Sequence, residues 1–463
     1  MRPQNKTIIS TPDIDQYLRS EIAEWSEVDG NLWSSPKKHS KDYAHSLFQY
    51  PAMMVPSVQR KLIGLIHQAR PDINTMLDPF VGAGTTIAAS MSCGLDCYGQ
   101  DINPLAVLIS KAKTDLGWAD QDLRQTCKDV VAQAEGDGST KIDVDFTNIT
   151  KWFSSSATVE LSKLRRAIKN QSDQRIRRIL WVILAETIRL TSNDRTTTYK
   201  LHARPIDEIK IRVVSPLGTY KGLVNQCVED IILYKKVLLE SGYIEEDKYK
   251  GHVEIRLGDS TKSMPSPEAK KSFDLLVTSP PYGDNTSTIT YGQHAYLPLQ
   301  WIDLSDIGPG VEASFLRTTQ EIDRRSLGGK SPKQLKEMQT KLSDESDSLI
   351  KVFSSLSDKP PDRTSRVASF YNDFIDSIDK IIPTLAGNTY MVWTLGNRRV
   401  GGIEIPNDVI LGEILSSRNV KFVTDVKRTI HFKRMPNKNK IAQTMRTEKI
   451  LVFKKLPQQD GIQ

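Results

Sequence analysis

Residues 75 to 106 read TMLDPFVGAGTTIAASMSCGLDCYGQDINPLA. An apolar lead-in ends at Asp78, the turn Gly82-Ala83-Gly84 follows, and Thr85 to Ser92 reads as a helix, which gives strand, glycine turn and helix. The glycines let backbone approach a ligand closely, and the helix N-terminus offers unpaired N–H groups. A second short run, CYGQ, leads to Asp101, where a carboxylate can accept hydrogen bonds from ribose hydroxyls. A cofactor fits at this turn.

A nicotinamide-binding domain is the first rival, but its fingerprint is G-x-G-x-x-G or G-x-G-x-x-A. Here Gly82-x-Gly84 continues as Thr85-Thr86-Ile87, which lacks the third small residue. The run DPFVGAGTT instead resembles the cofactor motif of the S-adenosylmethionine-dependent DNA amino-methyltransferase family. HSLFQYPAMMVP (45 to 56) is similar to the segment that family places just ahead of it, and DINPLAVLISKAKT continues the pattern from Asp101. The resemblance implies a cofactor site made by Asp78, Pro79, Phe80, Gly82, Gly84, Thr85, Asp101 and Asn103, with Tyr50 and Pro51 from the preceding segment.

The second motif is FDLLVTSPPYGD, residues 273 to 284. A buried strand from Phe273 to Val277 runs into two prolines that cannot continue a ladder, so Ser279 to Tyr282 form a stiff loop at the strand end. Open parallel sheets bind ligands at that edge, so both motifs can face one crevice. S-P-P-Y alone reads equally as a catalytic loop or as a plain loop with a packed tyrosine. Paired with DPFVGAGTT it becomes specific.

The chemistry accounts for the residue types. The exocyclic amine of cytosine or adenine is a poor nucleophile, because its lone pair is delocalised into the ring. A hydroxyl from Ser279 and the carbonyl of Pro280 can accept both amine hydrogens and aim the lone pair at an electrophilic methyl group. Pro281 stiffens the loop, and Tyr282 offers a flat face on which an extruded base can stack. Methylation of a cytosine ring carbon would instead need a cysteine nucleophile, usually after proline, and no Pro-Cys dipeptide occurs in the chain. Within the family, S-P-P-Y resembles cytosine-N4 enzymes more than the D-P-P-Y of adenine-N6 enzymes, although either acceptor can serve either amine.

The fold class expected is α/β: a Rossmann-like seven-stranded methyltransferase sheet with a C-terminal antiparallel hairpin and mainly helical insertions. GHVEIRLGDS (251 to 260) supplies a strand and puts Asp259 where the family contacts the cofactor adenine. NTYMVWTLGN (388 to 397) reads as the next strand, Asp408 to Ser417 as a helix, and Val420 to His431 with Lys449 to Phe453 as the hairpin. CYGQ is the shortest strand.

These elements divide the chain into an N-terminal extension (1–42), cofactor-binding part (43–115), helical insertion (116–250), S-P-P-Y part (251–309), charged helical insertion (310–365) and C-terminal catalytic part (366–463). ILWVILAETIRL in the first insertion reads as a core helix, and TSNDRTTTYKLHARP (191 to 205) as an exposed loop. PKQLKEMQTKLSDESDSLIKVF in the second reads as a solvated helix pair. Of Tyr291, His294 and Tyr296 in TYGQHAYLPLQW (290 to 301), two are expected only to pack the loop.

With 38% apolar and 26% charged residues in 463, the chain can bury a large core. It has no apolar run of the roughly 18 to 20 residues that a membrane span needs and no signal-peptide pattern, so a cytoplasmic protein of a bacterium, archaeon or virus is expected. Four cysteines without metal-type spacing predict reduced thiols and no metal site. The net charge of +7 is unevenly spread. Lys421 to Lys455 carries eleven basic against two acidic residues, and Glu160 to Val214 thirteen against six, including Arg165-Arg166 and Arg177-Arg178. Such runs are either solvated faces or phosphate contacts.

The expectation is therefore a DNA methyltransferase acting on an extruded base in double-stranded DNA, in a restriction-modification or related system with a possible cognate endonuclease. Target recognition falls to the 116–250 insertion and phosphate contact to the 431–447 loop. Three alternatives remain open: an adenine-N6 enzyme, an RNA base amino-methyltransferase, and an inactive DNA-binding subunit.

Overall fold

The computed structural model describes residues 11–28, 44, 47–267, 272–429 and 447–457. Its centre is a seven-stranded sheet. The strands are β1 (Thr75–Asp78), β2 (Asp96–Asp101), β3 (Val253–Leu257), β4 (Phe273–Thr278), β5 (Leu385–Leu395), β6 (Val420–Thr429) and β7 (Thr447–Lys455). Their order across the sheet is β6-β7-β5-β4-β1-β2-β3. Strands β1 to β5 pair in parallel, while β7 runs antiparallel to both β5 and β6. The α/β methyltransferase sheet with its antiparallel C-terminal pair is as the sequence led us to expect. CYGQ lies within a full six-residue strand, β2.

Side chains alternate between two cores, as a strand period of two requires. Met76, Leu275, Tyr390 and Val392 face one side, whereas Leu77, Leu276, Met391 and Trp393 face the other. The first side is covered by α2 (Pro56–Ala69), α3 (Thr85–Met91) and α4 (Pro104–Thr114), with the 116–250 segment packed outside them. That segment folds chiefly as α5 (Asp120–Gly136), α6 (Ser155–Lys169), α7 (Gln174–Thr191) and α8 (Pro216–Glu240). Helix α7 contains ILWVILAETIRL and is buried from Ile179 through Ile188, so it is the core helix expected.

Following β4, α9 (Tyr291–Trp301) packs against α7. The second side of the sheet is covered by α10 (Leu335–Ser343), α11 (Asp347–Leu356), α12 (Pro361–Ile381) and α13 (Asn407–Ser416). This corrects the solvated-pair reading of α10 and α11, because Leu342, Leu349, Val352, Phe353 and Leu356 are buried in the core. Its dense charges occupy only the outward face.

Helix α1 (Thr11–Val28), within the N-terminal extension, is tied to the far edge of the sheet. Arg19 donates to the Val423 carbonyl at 2.8 Å, and Asp15 accepts from the Tyr390 hydroxyl at 2.6 Å. The sheet order reverses at β1, which has β2 on one side and β4 on the other. Such a reversal opens a crevice beyond the C-terminal strand ends. Asp78, Asp101 and Ser279 all stand at that edge.

Candidate active site

Asp78 ends β1 and is fully buried. Its carboxylate accepts from the Phe80 N–H at 3.0 Å, the Thr278 hydroxyl at 2.6 Å and the Thr86 hydroxyl. One side chain thereby ties together β1, the glycine loop, α3 and the last residue of β4. Burial raises its pKa to about 6 against those three hydrogen bonds. With its oxygens so engaged, Asp78 is a scaffold that aligns the two motifs. Pro79 is buried beside it, and Phe80 packs half-buried against the second core.

The glycine loop needs its glycines. Gly82 and Gly84 have φ of +50° and +75°, and a Cβ on Gly84 would come within 2.9 Å of the Ser110 hydroxyl. Gly84 is the N-cap of α3, and Thr85, its first residue, is buried. The loop is held from behind by Ser110, whose hydroxyl donates to the Gly82 carbonyl at 2.9 Å, and by Lys113, whose Nζ donates to the Ala83 carbonyl at 2.8 Å.

Half-buried Asp101 ends β2 and accepts from Gly82 N–H and Asn103 N–H, both at 2.9 Å. Burial raises its pKa to about 6, partly offset by these backbone donors. Asn103 caps α4 by accepting from Leu105 N–H, and it donates to the Tyr50 hydroxyl at 3.2 Å. Tyr50 in turn stacks on Tyr291, centroids 5.6 Å apart. Pro51, next to Tyr50 in the chain, is buried. Asp259 lies just past β3, accepts from the Thr261 hydroxyl at 2.7 Å and pairs with Lys262 at 3.0 Å.

The S-P-P-Y loop leaves β4 beside this cradle. Pro280 is buried, while Ser279, Pro281 and Tyr282 are half-buried. The Tyr282 backbone carbonyl accepts from Asn407 Nδ2 at 3.0 Å, and that same nitrogen donates to the Gly396 carbonyl at 2.8 Å. The Asn407 oxygen accepts from the Tyr371 hydroxyl. The Tyr282 hydroxyl donates to Glu448 Oε1 at 3.1 Å, and Glu448 is paired with Arg428 at 3.3 Å. Behind the loop, buried Asp284 is held by Arg398 at 3.2 Å and by Thr286 and Ser287.

Of the three residues in the segment after the loop, Tyr291 faces the cleft. Burial, then the Asp101 charge, then neighbouring Tyr199 push its phenol pKa up. His294 is half-buried with its Nε2 enclosed, and its pKa is lowered to about 3 by burial and by the Arg189 charge. Tyr296 packs edge-on against Phe146. Sequence reasoning missed Tyr199, Asn407, Arg428 and Glu448, which belong to no motif. The available signal was faint, since Arg428 and Glu448 are two opposite charges on hairpin strands that also carry Lys421, Asp425, Lys427 and Lys449.

The two basic surpluses separate. Residues 430–446, which hold most of the 431–447 loop, lie outside the described residues. In the other, the arginine pairs are used internally. Arg165 donates to the Trp301 carbonyl, Arg166 pairs with Asp137 and Asp143, Arg177 with Asp306, and Arg178 with Asp115. Arg165, Arg177 and Arg178 reach outside the insertion and fasten it to the sheet-bearing part of the chain, whereas Arg166 bonds within it. Among the described residues no cluster of metal ligands occurs, the four cysteines are free, and no helix is long and apolar enough to cross a membrane.

No protein-family model matches the chain. It is 29% identical over 457 residues to the type II methyltransferase M.MvaI of Kocuria varians, a match that spans 96% of this chain and 98% of that protein. The match runs from end to end, insertions included. It supports the DNA methyltransferase family and leaves the choice between cytosine N4 and adenine N6 open.

Proposed function

We propose that the protein, whose full-length match supports the DNA methyltransferase family, transfers a methyl group from S-adenosylmethionine to the exocyclic amine of an extruded DNA base, with cytosine N4 favoured over adenine N6. The observation that carries the reading is the junction of the two motifs. Thr278, the residue before Ser279, donates to Asp78 at 2.6 Å, so the S-P-P-Y loop and the glycine loop share one anchor. A restriction-modification setting with a cognate endonuclease, in the cytoplasm of a cell and of bacterial, archaeal or viral origin, goes with this reading.

The residues present fit the cofactor. Gly84 is closed to any side chain by Ser110 behind it, so the glycine loop packs directly on α4, and half-buried Asp101 presents carboxylate oxygens beside the Gly82 N–H. Gly82, Gly84 and Thr85 would hold the methionine end, Asp101 and Asn103 the ribose, and Asp259 the adenine, with Tyr50 and Pro51 closing one wall. The bound cofactor supplies an electrophilic sulfonium methyl.

On the protein side, the Ser279 hydroxyl and the Pro280 carbonyl accept the two amine hydrogens. This draws the nitrogen lone pair out of conjugation and orients it along the transfer direction. Tyr282 holds the extruded base by stacking, with Pro281 keeping the backbone stiff. Asn407 prevents the loop from relaxing away from the base. The neutral His294 takes no part in proton transfer, and the methylated amine loses its proton to water.

The test is expression in a methylation-free host followed by mass spectrometry of nucleosides from its DNA. N4-methylcytosine that vanishes with Tyr282→Ala supports the proposal, N6-methyladenine moves it to the other amine, and unmodified DNA with labelled transfer RNA overturns it.

A further inference from the structure

The 116–250 insertion contributes thirteen basic residues between Glu160 and Val214. Nine of them are committed inside the fold: the four arginines above, Lys169 with Asp303, Arg175 with Asp173, Arg189 with Glu186, Arg204 with Glu208, and Arg212 with the Leu190 carbonyl. The side chains of the other four make no hydrogen bond or ion pair among the described residues, and three of these, Arg195, Lys200 and Lys210, are exposed within sixteen residues. The same stretch carries an unusual apolar surface. Ile206, Ile211 and Val213 are 63%, 82% and 95% exposed. Scattered exposed apolar residues need no explanation, but three within eight residues beside unpaired cations do.

The stretch is also fixed to the catalytic centre. The Thr290 hydroxyl donates to the Tyr199 carbonyl at 3.0 Å, and the Leu201 N–H donates to Gln293 at 3.1 Å, so both bonds reach the start of α9. Tyr199 packs edge-on against His294 and lies beside Tyr291, which stacks on Tyr50. The tip is strained: Thr196, a β-branched residue, has φ of +54°, and Asp194 holds the turn by accepting from the Thr196 and His202 N–H groups. A strained backbone persists only where surrounding contacts enforce it, and such sites cluster at functional elements. Asp207 is the one exposed acid of the stretch without a described partner. The unpaired side chains therefore leave it net positive.

Resting on the DNA-methyltransferase reading, we infer that residues 194–213 form the arm that grips duplex DNA at the rim of the catalytic cleft. Arg195, Lys200 and Lys210 neutralise backbone phosphates, and Ile211 with Val213 give apolar contact where the extruded base leaves its stack. Phosphate contacts place the duplex, while wedge-like apolar side chains stabilise a distorted step. Tyr199 at the base of the arm passes that placement directly to Tyr291 and the base pocket.

The test measures binding of duplex DNA by fluorescence anisotropy across a salt series, with labelled S-adenosylmethionine binding followed in parallel. Each phosphate contact contributes a slope of roughly 0.9 in log affinity against log salt. Arg195→Ala/Lys200→Ala should flatten that slope by about two such contacts and weaken binding about tenfold or more near 0.1 M salt. Val213→Ser with Ile211→Ser should weaken binding at unchanged slope. Lys351→Ala, an exposed cation on α11, should change neither. All four targets in the arm are solvent-facing, so the variants should keep the wild-type melting temperature and cofactor binding. Wild-type methylation of DNA with an unaltered salt slope in Arg195→Ala/Lys200→Ala overturns the inference alone. A wild-type protein that binds cofactor but neither binds nor methylates DNA overturns the reading beneath it.

Discussion

The Tyr282 hydroxyl donates to Glu448, which sits directly across the β6–β7 ladder from Arg428 and is paired with it. The ring that is to stack on the base is thus tethered at its far end to the hairpin, and Arg428, about nine-tenths buried, has Glu448 as its counter-charge. Tyr282→Phe keeps the stacking face and loses the tether, so its kcat should fall by only about threefold to tenfold, the kinetic equivalent of about 1 kcal/mol for one hydrogen bond. Tyr282→Ala, which removes the face, should lose at least a hundredfold. Glu448→Gln keeps an oxygen that can accept from Tyr282, so its kcat should fall less than that of Tyr282→Phe, while loss of the counter-charge of Arg428 should lower its melting temperature. Single-turnover rates separate the cases, and a Phe variant as inactive as the Ala variant would refute the stacking role.

Asn407 holds the same loop from the other side. Its Nδ2 bridges the Tyr282 and Gly396 carbonyls while its oxygen receives Tyr371, so Asn407→Ala leaves two carbonyls and a buried hydroxyl short of partners. A loss of roughly 1 to 3 kcal/mol in stability is expected from such unsatisfied groups. Because the loop then samples several positions, kcat should fall more than KM rises. Denaturant unfolding and steady-state kinetics on the same preparation check both.

Most of the sheet was legible because its strands are bounded by glycine, proline and acidic residues at the ligand edge. Asp78, Asp101 and Ser279 are recognisable as strand ends, and strand ends in a parallel sheet converge. Asp78 was legible as a site residue but not as a scaffold, since only the fold shows that Thr86, Thr278 and Phe80 saturate it. The helix pair α10–α11 misled because its polar residues outnumber the few leucines and phenylalanines that decide its burial. Glu448 could be read only as one charge among several on the hairpin, and Tyr199 not at all. They reach the cleft from 166 residues after and 92 residues before their partners Tyr282 and Tyr291, a proximity set by hairpin register and by the docking of an insertion.

Asp101 makes cofactor affinity depend on pH. Its folded-state pKa is raised to about 6 by burial, against an ordinary value near 3.8. Between those values the apo-protein holds a proton that the unfolded chain has released, so this group's contribution to stability is greatest at low pH and is lost as pH rises through about 6. Cofactor binding runs the opposite way, because only the ionised carboxylate offers both oxygens as acceptors. S-adenosylmethionine affinity should therefore fall as pH drops below about 6, and Asp101→Asn should bind more weakly at pH 7.5 with most of that dependence gone. Calorimetric titration at pH 5.5, 6.5 and 7.5 measures it, and an unchanged pH profile in the variant would exclude Asp101 as the source.

Lys113 lies under the glycine loop, 1% exposed, and its Nζ is bonded to the Ala83 carbonyl with no carboxylate partner among the described residues. Burial lowers its pKa from 10.5 to about 7. Between these values the unfolded chain binds the extra proton, so stability from this group rises with pH from about 7 to 10.5. Lys113→Met removes that linkage along with the bond to the loop. The melting temperature of the variant relative to wild type should be highest near pH 7 and fall steadily towards pH 10, where the wild type no longer loses stability by deprotonating its lysine on folding. Since Ala83 lies between the two glycines of the cofactor turn, the variant should also bind S-adenosylmethionine more weakly at every pH. A gap in melting temperature that does not change with pH would mean that the ammonium is stabilised in the folded state by groups other than the Ala83 carbonyl.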